Sequence, residues 1–275
     1  MATSGSPETA ANPRHVTLVI PAAGRGSRMC PVCGSLPKAL VPVRGNPLLS
    51  YVLDAGTKAP IQHIVVVTSP AGGLIQQRFG AAHNGVPITY VSQDEPRGLA
   101  DAVMRAKGYV EDLMLVVNGD ELFINSQHDQ LVQRLRDSAA DGLVGYVRTT
   151  SSWRISTGYA LSLDHAGRVL RLLEKPQVPW NDLLGVGTWL LGRDYFHYFT
   201  RTPVQEARGE RDFVMVLQSM VDDGLSLYGV DLRGEFINVN TPVDLLAADA
   251  LLAEAETSAA ITHTSRDHAI QVAAR

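Results

Sequence analysis

Three cations and two glycines crowd one short stretch of an otherwise acidic chain. The run Pro21-Ala22-Ala23-Gly24-Arg25-Gly26-Ser27-Arg28-Met29 is followed by Pro37-Lys38, with Lys38 ten residues past Arg28. A glycine-rich turn lets backbone N–H groups approach phosphate oxygens, because no Cβ stands in the way. Arg25, Arg28 and Lys38 place three positive charges within fourteen residues, which is how proteins stabilise a transferring phosphoryl group. Ala22, Ala23, Gly24, Arg25, Gly26 and Ser27 are therefore candidate phosphate-binding residues, with Arg28 and Lys38 as further cations beside them. Two well-known phosphate loops fail on spacing. A dinucleotide fingerprint needs a third glycine where Met29 stands. A P-loop ends in Gly-Lys-Ser/Thr, and this loop offers Gly-Ser-Arg.

Further along, Asn118-Gly119-Asp120 closes the apolar run LMLVV. A carboxylate at the carboxyl end of a core strand, downstream of a phosphate loop, suits Mg²⁺, which keeps several waters and needs few protein ligands. Gln93 precedes Pro96-Arg97-Gly98-Leu99-Ala100-Asp101-Ala102, and its amide offers a donor and an acceptor, enough to pair with a base edge. Asp94 and Glu95 read as exposed loop residues. Glu174-Lys175-Pro176 ends a strand-like run, its proline barring continuation into a helix. The only two cysteines, Cys30 and Cys33, exclude a disulfide framework and fit a reducing cytoplasm. One C-x-x-C supplies at most half a structural zinc site, so a plain loop insertion is the favoured reading over a redox switch. No nucleophile–base pair is evident.

The elements that must position these groups follow from periodicity. Residues 15–21, 61–68, 88–91 and 113–117 are short apolar runs rich in β-branched residues, read as buried parallel strands. Helical spacing at 47–55, 74–79 and 99–109 alternates with them. This is the pattern of a doubly wound α/β sheet, mostly parallel and Rossmann-like, with ligands at the carboxyl ends of its strands. In the second half, 142–149, 158–163, 169–174 and 185–191 read as strands separated by turns, forming a smaller mixed β lobe. A helix is expected at 213–222, a strand at 225–232, and a last helix from Thr241-Pro242, a good N-cap and first residue. Residues 1–14 read as a disordered tail, 15–255 as one domain with halves meeting near 125, and 256–275 as a C-terminal tail where periodicity fades. With 45% hydrophobic residues, a net charge of −4 and no membrane-length apolar run, the chain reads as a globular enzyme. Neither a nucleic-acid nor a membrane partner is expected.

The segments AAGRGSRM…LPKALVPVRGNPLL, Q…P-x-G-L-x-x-A, N-G-D and E-K-P, in that order over about 16–250, resemble the sugar-phosphate nucleotidyltransferase family. The resemblance implies a fold of the nucleotide-diphospho-sugar transferase type and a nucleotide-binding glycine loop, Ala22 to Ser27, around a triphosphate. It also implies phosphate binding and a catalytic role for Arg28 and Lys38, a pyrimidine contact from Gln93 with backbone near Gly98 against the nucleoside, and a metal on Asp120. Glu174 would hydrogen-bond a sugar, Lys175 would hold its phosphate, Gly158 would lie under it, and Gly187-Thr188-Trp189 would match a G-x-Y segment, with Trp189 in place of tyrosine. The second metal ligand falls on Asn238 or on Asn240, depending on which branch of the family is aligned.

The implied reaction joins a nucleoside triphosphate, dTTP or UTP before CTP, to a sugar 1-phosphate or similar acceptor, with Mg²⁺. The acceptor phosphate is already ionised, so catalysis is positioning and charge neutralisation. Three rivals stand beside it. One is a glycosyltransferase of related fold, which would bind metal through a D-x-D where this chain has Asn118-Gly119-Asp120. The others are a cytidylyltransferase acting on a non-sugar phosphate or phosphonate and a non-catalytic nucleotide-sugar sensor. The expected assembly is a monomer or homodimer.

Overall fold

Strand β1 (Val16–Pro21) is buried along nearly its whole length, as an unbroken apolar run requires of a strand with helices on both faces. The computed structural model describes residues 14–24, 26–29, 34 and 36–273, the side chains of Ser27 and 259–273 excepted. Residues 1–13 of the expected tail lie outside the described residues, as do Arg25, Cys30 and Cys33. The other strands are β2 (Pro42–Val43), β3 (Asn46–Pro47), β4 (His63–Thr68), β5 (Ala82–His83), β6 (Val86–Ser92), β7 (Leu113–Val117) and β8 (Glu121–Ile124). They continue as β9 (Gly142–Arg148), β10 (Tyr159–Leu163), β11 (Val169–Glu174), β12 (Leu183–Gly192), β13 (Leu227–Asp231) and β14 (Glu235–Asn238). The helices are α1 (Leu48–Gly56), α2 (Gly73–Phe79), α3 (Gly98–Arg105), α4 (Leu131–Arg136), α5 (Ser152–Thr157), α6 (Asp194–Arg201), α7 (Phe213–Asp222) and α8 (Pro242–Ala273).

One sheet runs β11-β10-β12-β7-β1-β4-β6-β5, with β9 added on β12 and β13 on β9. The neighbours β7, β1, β4 and β6 are parallel, which is the Rossmann-like core. From β7 outward, β12, β10 and β11 are antiparallel, as the turn-separated runs of the second half foreshadow. Side chains alternate across the parallel core. Leu18, Ile20, Ile64 and Val66 face one hydrophobic cluster, and Val19, Val65 and Val67 face another. A third cluster packs Met29, Val41, Val43 and Leu48 against Val239 and Ala248, so the glycine loop is anchored through Met29 onto α8.

Helix α8 starts where Thr241-Pro242 predicts. Thr241 and Asp244 cap it reciprocally: the Thr241 N–H donates to Asp244 Oδ2 at 2.7 Å, and the Asp244 N–H to Thr241 Oγ1 at 3.3 Å. The helix runs to Ala273, through the stretch where apolar periodicity fades. Among the described residues no helix is long and apolar enough to cross a membrane.

His128 ties the start of the second half to β12 in the core. Its ring nitrogens meet Ser126 Oγ at 2.8 Å and Thr188 Oγ1 at 3.1 Å. Burial, with the Lys58 charge behind it, pushes its pKa down to about 3. The unfolded chain therefore binds an extra proton between that value and the ordinary 6.5, and stability present above pH 6.5 is lost as pH falls toward 3. His128→Gln keeps a donor and an acceptor but cannot titrate. Between about pH 7 and about pH 5, urea denaturation should show wild type losing about 2 kcal/mol more than this variant. Equal losses would contradict a neutral buried imidazole.

Candidate active site

The carboxyl ends of β1, β7 and β6 open into one cleft of about 320 Å³, lined by residues 21–24, Lys38, Gln93, Gly98, 118–120 and Glu210 among others. The chain can turn so tightly here because Gly119 lies against β1. Its N–H donates to the Pro21 carbonyl at 3.2 Å, and a Cβ at 119 would stand 2.7 Å from that oxygen. Gly26, at a φ of 58°, packs against Lys38, whose Cβ would be 3.0 Å from any Cβ at 26. Glycine alone adopts this left-handed conformation without a steric cost.

The charged groups converge at one point. The Lys38 ammonium donates to Asp120 Oδ2 at 2.7 Å and to Asn240 Oδ1 at 2.8 Å. Arg28, which is exposed, donates to the same Asn240 oxygen at 3.1 Å. Asn240 Nδ2 in turn donates to Asn238 Oδ1 at 2.6 Å. The two asparagines therefore differ in placement: Asn240 turns its oxygen toward the cations, and Asn238 receives the other end of that amide. The Asn240 N–H is held by Asp244 at 2.9 Å, and the Val239 N–H donates to the Asp120 carbonyl at 2.9 Å. Two oxygens already converge on one cation, the Lys38 ammonium. That donor set, one carboxylate and one amide oxygen, fits Mg²⁺ completed by phosphate oxygens and water.

Glu121 does not join this group. It is buried beneath it, accepting from Asn118 Nδ2 at 3.1 Å and from the Gly187 N–H at 2.7 Å. Burial and the neighbouring Asp120 charge push its carboxyl up to about 8. Gly187 has no space for a side chain, since a Cβ there would overlap the Asn118 amide.

Gln93 forms the far wall. It is buried, with Nε2 donating to the Gly98 carbonyl at 3.1 Å and to Asp101 Oδ2 at 2.9 Å. β6, which ends beside it, lies three strands from β7, so the cleft spans roughly 14 Å at the usual strand spacing. Pro96, Leu99 and Ala102 line that end. Glu210, which sequence reasoning missed, overhangs it from the 205–210 turn, closed by the Gln205 N–H on the Glu210 carbonyl. Its Oε2 would be 2.7 Å from a Cβ on Gly98, whose φ is 83°.

The Gly158/Glu174/Lys175 group sits apart from this lining, where β10 begins and β11 ends, at the other end of the same sheet. Tyr159 pairs with Glu174, and the Lys175 N–H donates to the Gly158 carbonyl at 2.8 Å, so the three residues form one corner. Lys175 takes a φ of 47°, a sparsely populated conformation for a residue that precedes proline. Its ammonium lies 3.4 Å from Glu174 Oε1. Burial, with Asp212 nearby, raises the Glu174 carboxyl above the ordinary range.

Thr188 and Trp189 are a correction. Both are buried in the core, so neither side chain faces the cleft. Alternation along β12 turns the Trp189 ring onto Phe213, with centroids 4.3 Å apart, and its Nε1 donates to Tyr159 Oη at 3.1 Å. Thr188 faces His128 instead. The tryptophan is a core residue, packed on Phe213 and bonded to Tyr159.

The family model for nucleotidyl transferases matches residues 17–255. UTP–glucose-1-phosphate uridylyltransferase AglF of Haloferax volcanii is 26% identical over 242 residues, covering 88% of this chain and 98% of that protein. A glucose-1-phosphate thymidylyltransferase of Streptomyces antibioticus is 30% identical over 85% of this chain, which spans 65% of that protein's length. A structure of UDP-glucose pyrophosphorylase complexed with UDP-glucose superimposes with a TM-score of 0.77 at 17% identity, covering 87% of this chain and 99% of that one. This last likeness shows the fold.

Proposed function

Since the chain belongs to the nucleotidyl transferase family, we propose that it joins dTTP or UTP, with CTP next, to a sugar 1-phosphate or similar phosphorylated acceptor, releasing pyrophosphate. The observation that carries this reading is the convergence of Lys38, Arg28, Asp120 and Asn240 between an apolar, amide-walled slot and the Lys175 corner. An oxygen of the acceptor phosphate forms a bond to the α-phosphorus of the triphosphate. The bond from that phosphorus to the bridging oxygen breaks, and pyrophosphate leaves with the electron pair. No proton need be removed from the attacking oxygen.

Each group has a part in this. Lys38 and Arg28 offset charge on the α-phosphate and the leaving group, and the loop of Ala22, Ala23, Gly24, Arg25, Gly26 and Ser27 wraps the triphosphate. Asp120 with Asn240 would hold Mg²⁺, and Asn238 would orient the Asn240 amide. When bound, the ion would neutralise phosphate charge and align the triphosphate. Gln93, beside Gly98, meets the base. Lys175 holds the acceptor phosphate, and Glu174, with Gly158 beneath, holds the sugar. On this reading 15–125 is the nucleotide half and 126–255 the acceptor half, working in the cytoplasm.

Screening five nucleoside triphosphates against several sugar phosphates, with pyrophosphate as the readout, tests the proposal. Release with dTTP or UTP that depends on the acceptor is expected. A nucleotide sugar consumed to nucleoside diphosphate would point to glycosyl transfer instead.

A further inference from the structure

The Gln93 amide faces the cleft in one orientation only. Both Nε2 protons are committed, one to the Gly98 carbonyl at 3.1 Å and one to Asp101 Oδ2 at 2.9 Å. A backbone carbonyl and a carboxylate only accept, so turning the amide over would set oxygen against oxygen at both contacts. Oε1 has no partner among the described residues and is not a buried orphan. It therefore opens into the cleft that Gln93 walls.

Asp101 is itself held in place. It sits in the first turn of α3 with its side chain 14% exposed. Arg105, one turn further on, donates to its two oxygens at 3.2 and 3.4 Å. The bond that Gln93 Nε2 donates is thus charge-assisted, to a carboxylate that Arg105 also holds, the stronger kind of hydrogen bond. Around Oε1 the slot walls are Pro96, Leu99 and Ala102, with the Glu210 carboxylate overhanging them by Gly98. A fixed acceptor walled by apolar side chains discriminates, because a mismatched partner leaves it unpaired and desolvated.

We infer that Asp101 is a specificity-determining residue: by fixing the Gln93 oxygen toward the base, it selects pyrimidines with a ring N3–H, uracil and thymine, over cytosine. Uracil and thymine present N3–H as a donor to this oxygen. Cytosine presents a bare N3, an acceptor facing an acceptor. The inference rests on the proposed nucleotide site, and Asp101 acts as a positioning residue because it works through Gln93. With Asp101→Asn the neighbouring amide can turn over together with Gln93, offering its own donor to Oε1 while Nε2 faces the base. With Asp101→Ala the charged contact is simply lost. The Gly98 carbonyl stays in both variants, so the preference falls without vanishing.

Equilibrium binding of UTP, dTTP and CTP with Mg²⁺, without any acceptor, tests this on wild type and both variants. Wild type should bind UTP and dTTP at least about 30-fold tighter than CTP. Both variants should lower that ratio by about tenfold, in Asp101→Asn chiefly through tighter CTP binding. A purely structural role would weaken all three nucleotides alike and leave the ratio unmoved. Equal binding of CTP and UTP by wild type, or an unchanged ratio in both variants, overturns the inference while nucleotidyl transfer stands. Binding of none of the three would overturn the nucleotide-site reading, and the inference with it.

Discussion

Asp120→Ala should lower the rate of pyrophosphate release by about a thousandfold while leaving the fold intact. The Asp120 side chain is 32% exposed and, among the described residues, its one ion pair is with Lys38. An ion pair this close to solvent contributes about 1 kcal/mol or less. The local backbone is secured independently, by the Val239 N–H on the Asp120 carbonyl and the Gly119 N–H on Pro21, and neither bond needs the side chain. Removing it leaves Asn240 as the remaining oxygen of the pair, an uncharged ligand that holds a divalent ion weakly. Two readouts therefore move together, turnover and Mn²⁺ affinity, while the urea midpoint stays put. Near-normal turnover with Mg²⁺ would remove Asp120 from the account.

Lys38→Ala should lower kcat by about a hundredfold to a thousandfold, with a much smaller change in KM for the triphosphate. The Lys38 side chain is 12% exposed and its ammonium is bonded to Asp120 and Asn240, which in the proposed reaction holds it where charge develops on the transferring phosphorus. Lys38→Arg should recover little of that loss. The lysine stem lies against Gly26, so close that a Cβ there would be 3.0 Å away, and a guanidinium fork is wider than the ammonium it would replace. A kcat within a few-fold of wild type in Lys38→Ala would show that this cation only binds ground-state phosphate.

The parallel core was legible because its strands carry one signal each: LVI, IVVV and LMLVV are unbroken apolar runs, the first leading into the glycine loop and the last into Asn118-Gly119-Asp120. The helix at Phe213–Asp222 and the Thr241-Pro242 start were legible for similar local reasons, periodicity in one case and capping in the other. β8 and β14 were not. They are four residues each and pair only with one another, far apart in sequence, so no periodicity can build up within either. Helix α6 hid because its four buried residues are aromatics, Tyr195, Phe196, Tyr198 and Phe199, a poor advertisement for a helix despite their spacing.

The same division runs through the site. Cations and carboxylate announce themselves by charge in an apolar context, and the structure brings Arg28, Lys38, Asp120 and Asn240 together. Which asparagine turns its oxygen inward depends on hydrogen bonds two residues apart, and spacing carries no record of that. Trp189 misled because the face of a strand flips with every residue, and register along β12 comes from long-range pairing with β7 and β9. Glu210 and Asp101 stayed hidden because an acidic residue in a loop or first helical turn has an ordinary solvated role unless the fold brings an amide or a close-packed glycine beside it.

Following the α-phosphorus tests the central claim most directly. The protein, Mg²⁺ and α-labelled UTP or dTTP would be mixed with a sugar 1-phosphate, and label and pyrophosphate followed together. The account predicts label in a nucleotide sugar, equal amounts of unlabelled pyrophosphate, dependence on the acceptor, and loss of both products in Asp120→Ala. Label recovered as nucleoside diphosphate, or pyrophosphate formed equally well without any acceptor, would contradict it.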